Sequence, residues 1–364
     1  MKQSAYIRTF LTMLSIARGI SSFGGPSLSK SFRRHLALKS TAQPTPTITY
    51  TTLEPYNSSE TYPHTPRDMQ KVIRTAEEAA LKAGELMRAT SGNIAVSKTK
   101  MNVADLVTES DLECQRIIKE LIQINFPADD FLGEEDVDAG SLASSKALYN
   151  AIANESKDDH DHDHDNLLWI VDPIDGTTNF QAGLCMFCVS IGIVAIQNGT
   201  PIVVGGVIYN PILNEMVSAV RGRGCYLNGS KLGMKYGSSD LKQALVNVGF
   251  PVSSESTLRA SSSAVAALAT KVRGIRMIAS ASQVMAWVAQ GKLNAYVSWD
   301  LNSWDVAAGM VIVEEAGGYI ANFTGEKADI RSRDLIVTCR EEGEENIISK
   351  QIYDILKAND CLEY

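Results

Sequence analysis

The chain has 364 residues, of which 45% are hydrophobic and 21% are charged, so it is long enough to form one large domain or two smaller ones around a buried core. Its formal net charge of −8 excludes a general nucleic-acid binder, because affinity for the phosphate backbone depends on an excess of clustered Lys and Arg. The sequence contains no run of the roughly 18 apolar residues that a membrane-spanning helix needs, so a membrane protein is not expected.

The amino end differs in composition from the rest of the chain. Residues 1–53 carry Lys and Arg among many Ser and Thr, with no Asp or Glu, which is typical of an organelle transit peptide. The alternative is a disordered tail without a targeting function. A secretory signal is disfavoured because Arg18 follows the apolar patch at 10–14 too closely. We predict that residues 1–65 are a disordered transit peptide and linker for a mitochondrion or plastid, and that residues 66–364 form the folded domain. An uncleaved tail would leave the protein in the cytoplasm.

Helical periodicity begins directly after the linker. Apolar residues recur at three- and four-residue spacing over 67–90 and again over 110–125, with Pro127 beyond the second end. A short strand at 130–132 then leads into Gly133-Glu134-Glu135. Carboxylates are therefore expected at the end of a strand, where an open site can collect them.

A polar segment at 141–166 follows, and it contains alternating Asp and His over 158–165. Imidazole and carboxylate groups could bind a transition metal weakly here. The simpler interpretation is a solvated loop, and we assign residues 155–166 to an acidic, His-containing loop insertion.

The remainder of the chain is predicted as runs of strands mixed with helices. This order favours layered α+β packing over a simple βαβ alternation. Strands are predicted at 167–171, 188–197, 202–209, 215–220 and 293–297, and helices at 261–271, 283–290 and 303–316.

The six cysteines do not have the pattern of a disulfide framework. Cys185 and Cys188 have the Cys-x-x-Cys spacing of redox and metal sites, but such motifs usually open a helix, whereas an apolar strand follows here. Reduced thiols are therefore expected.

The segment from Asp172 to Thr178 has the features of a metal and phosphate site. A buried strand ends at Asp172, Pro173 stiffens the turn, and Asp175 follows one bend later, so both carboxylates can face one pocket. Gly176 allows a phosphate to approach the backbone, and amides at the start of a following helix can bind its oxygens. Taken alone, an Asp-Pro-x-Asp-Gly sequence is also compatible with an ordinary turn.

Hydrolysis of a phosphate monoester requires neutralised phosphate oxygens, an activated water and a stabilised leaving group. Hard divalent cations held by carboxylates supply all three, and Mg²⁺ needs only a few carboxylates because it retains several waters. Glu134, Asp172, Asp175 and Asp305 each lie at a predicted strand end or helix start. These four residues are therefore candidate Mg²⁺ ligands.

Three separated motifs in this chain resemble the inositol monophosphatase family. They are the segments 133–135, 169–180 and 304–318, and the resemblance extends from about residue 68 to the C-terminus. It implies a layered αβαβα sandwich of the sugar-phosphatase type and a Mg²⁺-dependent, lithium-sensitive phosphomonoesterase. It also implies a homodimer that acts on a small phosphate ester. No nucleic-acid or membrane partner is expected, as the net charge and the lack of a long apolar run indicate.

The same resemblance implies a metal-binding role for five residues. Glu134, Asp172 and the carbonyl oxygen of Ile174 would hold the first Mg²⁺. Asp172, Asp175 and Asp305 would hold the second.

Catalytic and substrate-binding roles follow from the resemblance in the same way. Asp111, Thr177 and Glu134 are the implied catalytic residues, and the first two would orient and help deprotonate the attacking water. Amides of Gly176 and Thr177 would bind the phosphate. The full set of implied substrate contacts is Gly176, Thr177, Ser298, Asp305 and Ala281.

Two departures from the family pattern concern the substrate. Ser298 stands where inositol-selective members generally carry a Glu, which removes the charge assistance that makes hydrogen bonds to substrate hydroxyls roughly twice as strong. Ala279 replaces a family glycine beside Ala281. Inositol monophosphate or a similar polyol phosphate is the leading substrate, and histidinol phosphate or a nucleotide 3′-phosphate is the alternative. A non-catalytic homologue would be expected to have lost a metal ligand, whereas all are present here.

Overall fold

The computed structural model describes residues 48–55, 67–92, 96–99, 106–155, 166–197, 199–233, 239–251, 254–339 and 346–363. Residues 1–47 of the predicted transit segment and the His and Asp run at 156–165 lie outside this part of the chain. Within the described ranges, no helix is both long and apolar enough to cross a bilayer.

Helices and strands are mixed along the whole described chain. The helices are α1 (Met69–Thr90), α2 (Glu109–Asn125), α3 (Ser141–Glu155), α4 (Thr177–Ala182), α5 (Glu255–Ala269), α6 (Ala281–Ala289), α7 (Ser303–Glu315) and α8 (Ile347–Ala358). The strands are β1 (Val96–Thr99), β2 (Leu106–Thr108), β3 (Asp130–Gly133), β4 (Leu167–Asp175), β5 (Cys188–Gln197), β6 (Thr200–Asn210), β7 (Glu215–Val220), β8 (Gly224–Leu227), β9 (Ser230–Lys231), β10 (Leu245–Val248), β11 (Gly274–Arg276), β12 (Ala295–Ser298), β13 (Tyr319–Asn322) and β14 (Leu335–Thr338).

The larger sheet has seven strands in the order β3-β4-β5-β6-β7-β8-β9. Strand β3 runs parallel to β4, and the later neighbours pair antiparallel. Helix α1 packs on β5, β6 and β7, and α2 packs on α1 and β4, so these two helices form one outer layer. Helix α7 also packs on β4 to β7.

The second sheet has five strands in the order β11-β10-β12-β14-β13. Helices α6 and α7 contact both sheets, whereas α5 and α8 pack on the second sheet and on each other. Ten of the thirteen residues of α7 are buried, as expected for a helix with a sheet on either side. The layers therefore run α–β–α–β–α, which confirms the predicted sandwich.

The structure changes the interpretation of residues 141–155. They form helix α3 rather than part of a polar loop, and the helix packs on β3 and α7 with Ser144 and Leu148 buried. Its sequence is rich in Ser and Ala and only weakly amphipathic, so it lacks the periodicity by which α1 and α2 are recognised. The polar segment at 141–166 thus begins with a helix, and only its later part can be the loop insertion assigned to residues 155–166.

Residues 48–55 lie within the predicted linker but pack against the domain. The amide of Thr51 donates to Glu77 Oε2 at 3.1 Å, and the amide of Glu54 donates to the hydroxyl of Tyr226 at 3.0 Å. Thr51 is 2% exposed. The folded body therefore includes residues ahead of 66.

Candidate active site

A bulge in β4 brings two carboxylates together. Asp172 pairs with Ser190 and Asp175 with Cys188, and the register shifts between these two pairs. In a regular strand, side chains three residues apart point to opposite faces, and a bulge resets that alternation. Asp172 and Asp175 can therefore both face the site, and both are buried, with 3% and 7% of their surface exposed.

Asp175 is fixed by the turn that opens α6. Its Oδ1 accepts a hydrogen bond from the amide of Ala281 at 3.2 Å, and its Oδ2 accepts from the amide of Ser282 at 2.6 Å and from Ser280 Oγ at 3.0 Å. The thiol of Cys188 lies 3.7 Å from the same Oδ2. These contacts link a carboxylate of the larger sheet to a helix of the middle layer.

Asp305 lies in the first turn of α7. Its Oδ2 accepts from the amide of Asn302 at 2.7 Å, which fixes the orientation of the carboxylate. The carbonyl oxygen of Asp305 accepts from Ser282 Oγ at 2.9 Å. The Asp175 turn and the Asp305 helix are thereby joined.

The remaining predicted carboxylates surround Asp172. Burial raises the pKa of Asp172 well above its ordinary 3.8, and the charges of Glu134, Asp175, Asp305 and Asp111 raise it further. The pKa values of Asp175 and Asp305 are also raised, chiefly by burial. The structure thus brings the other four predicted carboxylates close enough for their charges to act on Asp172.

Such a cluster fits divalent cations in its donor chemistry. Oxygen atoms are the ligands that Mg²⁺ prefers, and the pKa values are raised first by burial and then by repulsion between the carboxylates, which a cation would relieve. Among the residues that the structure describes, no group of three or more His, Cys, Asp and Glu side chains is already arranged to hold a metal ion. The carboxylates are therefore neighbours and do not form a closed cage, and Asp175 is held by its hydrogen bonds to the turn that opens α6.

Thr177 and Asp111 meet beside this cluster. Thr177 Oγ1 lies 3.4 Å from Asp111 Oδ1 and 3.2 Å from the carbonyl oxygen of Ile174. Asp111 is 2% exposed in the first turn of α2. A hydroxyl that can donate to a buried carboxylate suits a water-orienting pair, and such contacts are often long before substrate binds.

Gly176 provides the transition from β4 to α4. Its φ of +90° is in the left-handed region that favours glycine, and a Cβ at this position would lie 2.8 Å from the carbonyl oxygen of Met186. Helix α4 then begins at Thr177. The expected start of a helix behind the Asp172 motif is confirmed.

Ser298 lies deeper than a simple substrate contact would. It is 3% exposed, a Cβ on Gly249 would lie 2.2 Å from its hydroxyl oxygen, and it follows Tyr296 by two residues on the same face of β12. Burial raises the pKa of Tyr296, and the charges of Asp175 and Asp305 raise it further, which places this phenol near the cluster. Little of the Ser298 surface is left for a substrate.

Ala279 occupies a position that suits glycine. Its φ is +57°, in the left-handed region where a Cβ costs roughly 1–2 kcal/mol. Asn179 Nδ2 donates to the carbonyl oxygens of Ile278 and Met186, at 2.8 Å and 2.7 Å, and so ties this turn to the chain after α4. Ala281, two residues on, is partly exposed at the start of α6.

We expect Ala279→Gly to stabilise the protein by about 1 kcal/mol, because relief of left-handed strain exceeds the entropy that glycine adds to the unfolded chain. Urea unfolding of the metal-free protein measures the change. Ala266→Gly, at an exposed position inside α5, is the matched control and should destabilise by about 1 kcal/mol. Equal destabilisation by both substitutions would contradict the assignment of strain to Ala279.

Sequence reasoning missed several residues that support the site. Ser280 and Ser282 flank Ala281 but were not expected to hold Asp175, and Tyr296 and Asn302 were not singled out. Ser280 lies in the turn that the family resemblance marks, so its hydroxyl was a usable signal, whereas Ser282 holds Asp175 through its backbone amide, which no side chain announces. The six cysteines are all free, as expected for reduced thiols.

Comparison with known proteins gives consistent results. A model of the inositol monophosphatase family matches residues 68–353. Inositol monophosphatase 3 of Solanum lycopersicum is 33% identical over 275 residues, which cover 74% of this chain and 92% of that protein. Fructose-1,6-bisphosphatase/inositol-1-monophosphatase of Thermotoga maritima is 32% identical over 255 residues, covering 70% and 86%. A solved Thermotoga maritima IMPase superposes with a TM-score of 0.63 at 28% identity, covering 78% of this chain and 96% of that one.

Proposed function

Because the chain belongs to the inositol monophosphatase family and is a phosphoric monoester hydrolase, we propose that it hydrolyses inositol monophosphate or a similar small polyol phosphate with Mg²⁺ as its metal. The observation that carries the proposal is the buried carboxylate cluster around Asp172, which has the oxygen donors of a Mg²⁺ site. The metal dependence follows the family, and the choice of Mg²⁺ follows the donor set. Lithium is expected to inhibit by competing for one metal position.

Five residues would hold the metal ions. Glu134, Asp172 and the Ile174 carbonyl oxygen would bind the first ion, and Asp172, Asp175 and Asp305 the second. When bound, the ions would neutralise phosphate oxygens, lower the pKa of water and stabilise the leaving group. The hydrogen bond from the Ile174 amide to Asp172 Oδ1, at 3.0 Å, orients the carboxylate shared by both sites.

Thr177, Asp111 and Gly176 would act on water and phosphate. Thr177 Oγ1 would accept a proton from the attacking water while it donates its own proton to Asp111. Glu134 would be the third catalytic residue, through the metal ion that it holds. The amides of Gly176 and Thr177 would hold phosphate oxygens at the start of α4. The substrate hydroxyls would meet Asp305, Ala281 and the small exposed part of Ser298.

The alternative keeps this chemistry and changes the substrate to histidinol phosphate or a nucleotide 3′-phosphate. It is supported by the absence of a carboxylate at Ser298, where a charged acceptor would favour a polyol. Phosphate release from inositol 1-phosphate, histidinol phosphate, adenosine 3′,5′-bisphosphate and fructose 1,6-bisphosphate should be measured with Mg²⁺, and then with Li⁺ added. A preference for either of the middle two substrates would overturn the leading assignment, and no release from any of them would overturn the enzyme's proposed substrate range.

We expect Mg²⁺ to stabilise the fold by about 2.7 kcal/mol at a concentration about 100 times Kd. The raised carboxylate pKa values mean that the metal-free fold binds more protons than the unfolded chain above pH 3.8, so its stability falls as pH rises through those values. Mg²⁺ binds the ionised groups, so its stabilising effect should be larger near pH 7.5 than near pH 5. Thermal unfolding with and without Mg²⁺ measures this difference, and an equal effect at both pH values would contradict it.

A homodimer is also proposed. Two hydrogen bonds connect three loops near the site. Asn210 Nδ2 donates to the carbonyl oxygen of Cys185, and Asn179 Nδ2 donates to that of Ile278, both at 2.8 Å. The exposed apolar side chains of these loops suit burial against a second copy. Light scattering should give the mass of a dimer for the wild type and a lower average mass for Leu184→Asp at the same concentration. A monomeric wild type would contradict this proposal. The exposed side chains are Leu184, Ile212, Leu213 and Met277, between 39% and 55% exposed.

For localisation, we propose import into a mitochondrion or plastid and removal of the basic amino end. The contacts of residues 48–55 with the domain support a cleavage point before Ile48, because removal of Thr51 would leave the buried Glu77 without its backbone donor. Sequencing the amino terminus of the protein isolated from cells tests this. A terminus at Met1 in a cytoplasmic fraction would contradict the proposal.

A further inference from the structure

The connection between β12 and α7 is held by an arginine from outside it. Arg333 donates to Asp300 Oδ1 from Nε at 3.0 Å and from a terminal nitrogen at 2.8 Å. The amide of Leu301 returns a hydrogen bond to the carbonyl oxygen of Arg333 at 2.8 Å. Both charged side chains are largely enclosed, with 22% and 16% of their surfaces exposed, so this pair is less screened than a surface ion pair.

The same guanidinium reaches the residue that orients Asp305. A terminal nitrogen of Arg333 donates to Asn302 Oδ1 at 3.2 Å, while the amide of Asn302 donates to Asp305 Oδ2 at 2.7 Å. The amide of Asp305 in turn donates to the carbonyl oxygen of Asn302 at 3.2 Å. Fixing the Asn302 side chain therefore restricts the backbone that presents the Asp305 carboxylate.

Asp300 has an unusual conformation that depends on these contacts. Its φ is +52°, in the left-handed region that Asp tolerates better than most residues, and its amide donates to Asp334 Oδ1 at 2.9 Å. Ser141 Oγ also donates to the Asp300 carboxylate, at 2.8 Å and 2.9 Å to its two oxygens. Ser141 begins α3, shortly after the turn that carries Glu134. Asp300 thus joins the Glu134 side of the site to the Asp305 side.

We propose that Arg333 is a positioning residue which, through Asn302 and Asp300, sets Asp305 for a divalent cation. The proposal rests on the proposed metal-dependent function. The hydrogen bonds of Arg333 go to Asp300 and Asn302, so its guanidinium supports the Asp305 backbone without occupying the cation position. Groups that orient metal ligands in this way typically change metal affinity by about 10–100-fold when removed.

The test compares Arg333→Gln with Arg331→Gln. Arg331 lies two residues away, is 59% exposed and pairs with Asp329. Its replacement therefore removes an arginine of the same segment that does not contact Asn302, which makes it the matched control. Mg²⁺ affinity should be measured by calorimetry without substrate, and by the thermal stabilisation that Mg²⁺ produces. We expect Arg333→Gln to weaken Mg²⁺ binding about 10–100-fold and Arg331→Gln to leave it unchanged. Wild-type affinity in Arg333→Gln, or an equal loss in both variants, would overturn the proposal.

Further variants separate positioning from folding. Arg333→Lys keeps the charge but cannot reach Asp300 and Asn302 with one planar group, so we expect an intermediate Mg²⁺ affinity even if Arg333→Gln fails to fold. Ser141→Ala should weaken Mg²⁺ binding less than Arg333→Gln, because it removes only the link to α3. Wild-type affinity in Arg333→Lys would count against the proposal. Failure of the wild type to release phosphate, with its Mg²⁺ binding still sensitive to Arg333, would instead count against the proposed function alone.

Discussion

Asp175→Asn is expected to lower the rate of phosphate release by at least about 10³-fold, equivalent to about 4 kcal/mol of lost transition-state stabilisation. The substitution removes a charged ligand of the proposed second metal position. It should also destabilise the fold by about 1–3 kcal/mol. The two oxygens of Asp175 face the amides of Ala281 and Ser282, so the side-chain amide of Asn must place its own donor against one of them.

Asp305→Asn separates these two effects. The carboxylate accepts its backbone hydrogen bond through Oδ2, and the carbonyl oxygen of Asn can take that role. We therefore expect a comparable loss of phosphate release with little loss of stability. Rates at saturating Mg²⁺ and urea unfolding should be measured for both variants. Substantial turnover in either variant would contradict the metal-ligand assignment. Equal free energies of unfolding for Asp175→Asn and Asp305→Asn would contradict the hydrogen-bond argument at Asp175.

The layers and the location of the site follow from local sequence patterns. Strong periodicity in α1, and continuous apolar runs in β4 and β5, are sufficient to predict elements that the structure confirms. Helix α3 is different, because its Ser- and Ala-rich sequence has little amphipathic pattern and its stability depends on packing against β3 and α7. Helix α5 begins at Glu255 rather than at 261, since the Ser254 cap extends it through a polar first turn.

The site is predictable in its carboxylates but less so in its supports. Asp172 and Asp175 lie three residues apart in one motif and are readily recognised there. The bulge that turns both to one side appears only when β4 is paired with β5. Arg333 lies in the connection between β13 and β14, and no local pattern connects it to Asp305. Ser298 marks a departure from the family, but its burial against Gly249 depends on how β10 and β12 pack.

The second large expected effect concerns Thr177. We expect Thr177→Ala to lower the rate of phosphate release about 10²–10⁴-fold, because it removes the hydroxyl that would orient and deprotonate water beside Asp111. Thr177→Ser retains the hydroxyl and should keep most of the activity. Mg²⁺ affinity should change far less than the rate in both variants, because Thr177 is not itself one of the proposed metal ligands. Thr177→Ser also keeps the hydroxyl that donates to the Ile174 carbonyl oxygen, a proposed ligand of the first ion.

The coupling of Thr177 to Asp111 can be measured by a double-mutant cycle. If the two residues act as one proton-transfer unit, Asp111→Asn and Thr177→Ala should each cause nearly the full loss, and the double variant should be little slower than either. Additive losses would indicate independent roles and would contradict the proposed relay. The 3.4 Å contact in the substrate-free protein is long for a hydrogen bond, so the cycle should be measured with substrate bound, when a catalytic contact is expected to shorten.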